Sequence, residues 1–372
     1  MTDFGIYVHI PFCKNKCAYC NFCSGTFSET LQEKYFQKLW QEILHFKTEK
    51  KITSIFFGGG TPSAVKSDYI IRTLNVIFKN FIVDNNAEIT LEANPGTVKL
   101  QSLTAYKVAG FNRISFGGQS FDEETLKKLG RVHSAEEIFE AVSMAKQAGF
   151  ENIGIDVIIG ANTINQENFI DSVKRCKKLG VKHFSVYMLM LEKNTPLCQQ
   201  VISGKTRVLD EREVASDYRF VQITLPKEGF LQYEISNFSQ NGFQCRHNQN
   251  YWHAGQYKGF GVSSHSYVDD LRAENTSNLE EYLALDIEKL NVSQDYVTTH
   301  KKIIEKIMLS LRTTKGLCLE ELKKLGYNLK VEKRAVLDTL INTNFVQEKD
   351  GFVKISPQNF VVSNAIILKL IP

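Results

Sequence analysis

The sequence predicts an α/β chain whose first half folds as a partial (β/α)6 TIM-like barrel, and three observations predict it. Short β-rich runs alternate with amphipathic stretches through six successive units, the order that gives a parallel sheet with helices outside. Several helical stretches return to the next run through a glycine, at Gly110, Gly149 and Gly180, as expected where a helix ends before a strand. The alternation fades after about residue 190, too early for the eight units of a closed barrel.

In order, the runs are Gly5–Ile10, Ser54–Phe57, Glu88–Ala93, Arg113–Phe116, Asn152–Ile159 and His183–Leu189. The amphipathic stretches between them are Glu29–Phe46, Lys66–Lys79, Lys99–Ala109, Ala135–Gln147 and Gln166–Leu179. Residues 201–295 read as a mixed α/β extension, with a helix over Asp210–Leu225, a strand-like Tyr233–Phe238, and a Gly- and aromatic-rich stretch to Tyr267. Residues 296–372 read as helices Thr299–Ser310, Leu319–Leu325 and Lys333–Asn342, then a hairpin Phe345–Ile355 turning at Asp350-Gly351. Helices followed by a hairpin suggest a winged-helix-like region, so the expected domains are 1–200, 201–295 and 296–372.

A chain of 372 residues, 43% of them hydrophobic and 23% charged, is long and apolar enough to bury a large core. The net charge of +4 is spread along the chain, and the lysines of the last region are balanced by neighbouring glutamates, so no nucleic-acid footprint is expected. No run is long enough to span a bilayer, and MTDFGIYVHIPF lacks the basic start of a secretory signal. The expected location is the cytoplasm.

Four of the eight cysteines, Cys13, Cys17, Cys20 and Cys23, fall in the loop after the first run. A disulfide framework belongs to small secreted domains. Thiolates crowded in one loop suit an iron–sulfur cluster better than structural zinc, which usually draws pairs of ligands from separate segments. The spacing C-x3-C-x2-C would leave one iron of a 4Fe–4S cluster open. Because parallel sheets place active sites at the C-terminal ends of their strands, the residues after each later run matter too. These are Gly58-Gly59-Gly60-Thr61-Pro62, a backbone that a ligand can approach closely; Glu92-Ala93-Asn94-Pro95; and Ser115-Phe116-Gly117-Gly118-Gln119. The fifth run carries Asp156 within an otherwise apolar strand, a position that needs a donor or ligand.

The C-x3-C-x-Tyr-C motif directly after the first strand of a β/α array resembles the radical S-adenosylmethionine superfamily. The resemblance implies that Cys13, Cys17 and Cys20 hold the cluster, with S-adenosylmethionine chelating the open iron and Tyr19 against its adenine. YVHIPFC, GGGTP, EANP, SFGGQSF, LGRVHS, YEISNF, CRHNQNYW, HSY and MLSLR follow the order of the oxygen-independent coproporphyrinogen III oxidase-like family, over essentially the whole chain. That resemblance implies that Tyr7, Tyr19, Gly59, Gly60, Thr61, Glu92, Gln119, Arg131 and Asp156 contact S-adenosylmethionine.

The family contains both oxidases and haem chaperones, and three features favour a chaperone. The oxidases have a fourth cysteine where this chain has Phe22, with Cys23 one place too late. They also carry a long N-terminal segment, whereas six residues precede Tyr7 here. Arg246-His247-Asn248-Gln249-Asn250-Tyr251-Trp252 resembles the chaperones' HNxxYW signature, which implies haem as a third cofactor and His247 as its axial ligand; Cys245 and His265 are weaker candidates. The implied partners are haem, an acceptor haemoprotein, a one-electron donor such as a flavodoxin or ferredoxin, and peripheral membrane contact through the acceptor. The alternative is the oxidase reaction, decarboxylation of coproporphyrinogen III to protoporphyrinogen IX. Two loops depart from the family, Ala161–Asn165 and Gly261–His265, both expected to shape the tetrapyrrole side.

Overall fold

The computed structural model describes residues 4–372. Six parallel strands, β1 (Phe4–Ile10), β2 (Ile52–Gly59), β3 (Val83–Ala93), β4 (Arg113–Gln119), β5 (Asn152–Ile159) and β6 (His183–Met188), pair in sequence order as an open barrel. The helices between them are α1 (Glu29–His45), α2 (Ser67–Asn80), α3 (Leu100–Ala109), a short α4 (Glu123–Lys128), α5 (Ala135–Gln147) and α6 (Gln166–Leu179). Gly110 and Gly180 end α3 and α6 in the left-handed conformation, as their sequence positions imply. The strands alternate as strands must. Ile6, Val8 and Ile10 of β1 are buried with the apolar faces of the outer helices, and Tyr7 points into the barrel.

Beyond β6 the chain runs through α7 (Pro196–Ile202) and α8 (Glu211–Lys227) into two short strands, β7 (Leu231–Gln232) and β8 (Asn237–Ser239). The strand read over Tyr233–Phe238 is therefore broken. Between β7 and β8, Glu234 turns its carboxylate onto Ser236 N–H (2.7 Å) and the side chain of Asn237, which a continuing strand would not allow. Next come α9 (Arg246–Trp252) and four strands, β9 (Gln256–Phe260), β10 (His265–Val268), β11 (Leu271–Asn275) and β12 (Asn291–Tyr296), with α10 (Leu279–Ala284) between the last two. They extend the sheet outward from β1, giving twelve strands in the order β12-β11-β10-β9-β1-β2-β3-β4-β5-β6-β8-β7. β9 is parallel to β1, with Tyr7 opposite Gly259.

The last region holds α11 (Thr299–Ser310), β13 (Leu317–Cys318), α12 (Leu319–Lys324), α13 (Leu329–Glu332), α14 (Arg334–Asn342), the hairpin β14 (Val346–Lys349) and β15 (Phe352–Ile355), and α15 (Ser363–Leu370). The three strands form a separate sheet, β13-β15-β14, in a winged-helix-like arrangement. The hairpin turns at Asp350 and Gly351, both at positive φ. No helix among the described residues is long and apolar enough to cross a membrane.

Candidate functional site

At the C-terminal ends of β1–β6 the strand-end loops enclose a cavity of about 440 Å3. Its walls include Cys13, Cys17 and Cys20, together with Tyr19, Gly59, Gly60, Thr61, Glu92, Gln119, Arg131 and Asp156. These residues come from β2 to β5, from the loops after β1 and β2, and from the turn following α4, so only the folded chain brings them together.

The cysteine loop is tied down along its length. Cys13 N–H donates to Gly25 O (2.8 Å), Ala18 N–H to Leu129 O (3.0 Å), and Leu197 N–H to Ala18 O (2.8 Å). The His9 ring lies below the far end of the loop, its Nε2 2.8 Å from Cys23 O and its Nδ1 3.2 Å from Tyr7 Oη. Gly60 and Thr61 donate their backbone N–H groups to Ile10 O and Phe12 O, each at 2.8 Å. A Cβ on Gly60 would sit 2.9 Å from both of those oxygens and 3.0 Å from Cys13 Sγ. The glycine is thus a packing requirement of the thiol loop as well as an open approach to a ligand.

Arg131 organises the opposite wall. Its Nη2 donates to Asn94 Oδ1 (2.6 Å) and Gly117 O (2.7 Å), and its Nη1 to Cys17 Sγ (3.1 Å). Asn94 in turn donates to Thr61 Oγ1 (2.9 Å), joining the loops after β2, β3 and β4. Sequence reasoning assigned Asn94 no role, although it stands in the EANP motif two residues after Glu92. Gln119 holds φ at +65°, a conformation uncommon outside glycine and one that turns the chain at the cavity edge.

Two carboxyls stand on the cavity floor. Burial first, and then repulsion from Asp156, pushes Glu92 up to about 8. Burial also raises Asp156, opposed by Ser185, Arg113, Ser115 and Arg131; Ser115 Oγ donates to its Oδ1 at 3.1 Å. The polar residue inside the apolar fifth strand therefore has the partners its position demands. Burial raises the Cys13 thiol, so in the cofactor-free protein it favours the protonated form.

The donor set fits an iron–sulfur cluster with a small polar cofactor beside it. Three thiols ring a cavity whose remaining wall offers carboxyls, an amide, a guanidinium and a glycine-opened backbone. Among the described residues, no three His, Cys, Asp or Glu side chains converge closely enough to hold a single ion. Cys23 does not line it; its thiol donates to Ser277 O at 3.2 Å. Phe22, at the position of the oxidases' fourth cysteine, stands at the mouth.

Tyr7 and His247 are not brought to this cavity. They line a second, inner chamber of about 150 Å3, together with Phe56, Arg113, Ser115, Ser185 and Asn248. Glu92, Asp156 and Tyr187 border both spaces. The structure sets His247, the expected haem ligand, among protein partners. It is 1% exposed, with Nδ1 2.9 Å from Ser54 Oγ and Nε2 2.8 Å from Tyr251 Oη, so both ring nitrogens have hydrogen-bond partners. Burial and then Arg113 push its pKa down to about 3. The HNxxYW segment is α9, which plugs the N-terminal end of the barrel beside Gly5 and Ser54, at the opposite end from the cysteines. The length of β1 separates the two ends by about 20 Å.

Cys245 is fully buried, with its thiol 3.4 Å from Glu88 Oε1. His265 is exposed at the start of β10, 3.8 Å from Glu274 Oε1, and does not line the cavity. Sequence reasoning also missed Arg113. It is 2% exposed, with Nη2 3.4 Å from His183 Nδ1 and Nε without a hydrogen-bond partner.

Comparison with known proteins places the chain in a family. The radical SAM superfamily matches residues 7–176. The chain is 31% identical over 367 residues to the haem chaperone HemW of Bacillus subtilis, covering 97% of both chains. It is 34% identical over 273 residues to HemW of Escherichia coli, covering 72% of this chain and 71% of that protein. The structure of the Escherichia coli coproporphyrinogen III oxidase HemN, a radical SAM enzyme, superposes with a TM-score of 0.85 over 100% of this chain and 90% of that one; at 22% identity this shows a shared fold. With this identity sustained over 97% of both chains and a radical SAM match across its first half, the chain belongs to the HemW family of radical SAM proteins.

Proposed function

We propose that this protein is a haem chaperone, binding haem and delivering it to an acceptor haemoprotein, and that it carries a 4Fe–4S cluster and S-adenosylmethionine in the cavity above β1–β6. One observation carries the reading: near-full-length similarity to proteins named haem chaperone HemW, joined to a cavity that gathers three thiols and eight further cofactor-type residues. Cys13, Cys17 and Cys20 hold the cluster. When bound, a cluster of this kind supplies one electron to the sulfonium of S-adenosylmethionine.

The chain's own residues do the positioning. Gly59, Gly60 and Thr61 leave room for the methionine part and carry it against backbone. Tyr19 packs on the adenine, and Gln119 and Arg131 hold polar groups at the wall. Glu92 and Asp156 accept hydrogen bonds from hydroxyls. Tyr7 acts from the inner chamber, beneath Glu92. A flavodoxin- or ferredoxin-type donor supplies the electron, and contact with a membrane comes through the acceptor.

Anaerobic reconstitution, followed by haem titration and transfer to an apo-haemoprotein, tests the reading. The expected result is saturable haem binding, transfer to the acceptor, and no protoporphyrinogen from added coproporphyrinogen III. Steady multiple turnover to protoporphyrinogen would establish the oxidase instead.

A further inference from the structure

The mouth of the cavity has a composition that the cofactor site does not use. Phe22 from the cysteine loop is 67% exposed, and Met190 from the loop after β6 is 72% exposed; both line the opening. Met188 and Leu189 line the same edge, so two of the chain's five methionines stand there. Large apolar side chains in a group at a cavity rim mark a binding face rather than ordinary surface. Lys16 stands beside Phe22. Its ammonium donates to Phe22 O (3.3 Å) and Ser24 O (3.0 Å) and has no carboxylate partner among the described residues, which leaves a donor free. Glu192 is the carboxylate on the rim itself.

An aromatic ring, a flexible thioether and an unpaired cation across one opening suit a flat, apolar ligand bearing carboxylates. With haem binding taken from the function proposed above, we infer that haem docks across this mouth, over the cofactor cavity, with Met190 Sδ as an axial ligand to its iron. Phe22 packs on the macrocycle, and Lys16 pairs with a propionate. Thioether sulfur is an established haem ligand, and an exposed side chain on a loop reaches the iron without unfolding anything. The inner chamber, by contrast, at about 150 Å3 is a third of the size of the outer cavity and does not admit a tetrapyrrole.

The test is a titration of the reconstituted full-length protein with ferric haem, read as a difference spectrum against the cluster alone. Wild type should show the near-infrared sulfur-to-iron charge-transfer band of thioether ligation. Met190→Ala should lose that band and bind haem about tenfold more weakly, with cluster iron and sulfide contents unchanged. Met190→His should restore affinity with an imidazole-type spectrum. Phe22→Ala, compared at matched cluster content, should also weaken binding. Wild-type affinity and spectrum in Met190→Ala would overturn the docking site while leaving the chaperone reading intact. Absence of saturable haem binding by wild type would remove both.

Discussion

Glu92 borders both cavities, and its protonation links cofactor binding to stability. In the folded, cofactor-free protein it keeps its proton to about pH 8, whereas an unfolded glutamate releases it near 4.5. Its stabilising contribution is therefore present below pH 4.5 and is lost as pH rises to about 8. Glu92→Gln stays neutral throughout, so its stability relative to wild type should increase across that window. Denaturant unfolding of the cofactor-free proteins at several pH values checks this, and a constant difference would refute the raised pKa. His247 makes a contrasting case. Its ring joins Ser54 to Tyr251 and stacks on Phe56 with centroids 5.1 Å apart. His247→Ala should cost about 2–4 kcal/mol of stability, measured by unfolding, and leave the haem affinity of the folded fraction unchanged. The motif was legible at this position, but its packing was not. HNxxYW reads as polar and aromatic, and only packing shows that the imidazole faces inward with both nitrogens satisfied.

At the scale of elements, the barrel strands were legible because a parallel strand buried on both sides is a continuous apolar run, although β3 begins at Val83, five residues before the run read there, where its first residues are not buried. The outer strands β9–β12 escaped notice because they are short and partly exposed, and β12 carries little apolar pattern. The loop after β2 shows how an element builds the site. Its glycine at position 60 lets the chain pass between two backbone carbonyls and the Cys13 thiol. Gly60→Ala should displace the cysteine loop and reduce cluster occupancy after reconstitution, read as iron and sulfide per chain. Full occupancy in that variant would show that the close approach does not matter.

The whole molecule is joined through one sheet. β9 forms the second edge of β1, and β8 pairs with β6, so residues after 200 complete both sides of the barrel. Glu42 of α1 is buried and bonds to Gly261 N–H (2.9 Å), Asn275 Nδ2 (2.8 Å) and Tyr282 Oη (2.7 Å). A chain ending at residue 200 would leave that carboxylate unpartnered and expose the edge of β1. Such a truncated chain should be insoluble or lack a cooperative thermal transition in circular dichroism. A soluble, cooperatively folding fragment would show that the barrel is self-sufficient. By itself, the sequence determined the six β/α units, the cysteine ligand loop and the order of the strand-end motifs, because these are local patterns of period, spacing and residue type. Only the tertiary structure decided that Asn94 and Arg131 stitch the cavity wall, that Phe22 and Met190 share its mouth, and that His247 is sealed at the opposite end of the barrel. Those relations join residues from tens to more than two hundred positions apart, and whether a side chain meets solvent, a ligand or a neighbour depends on which elements close around it.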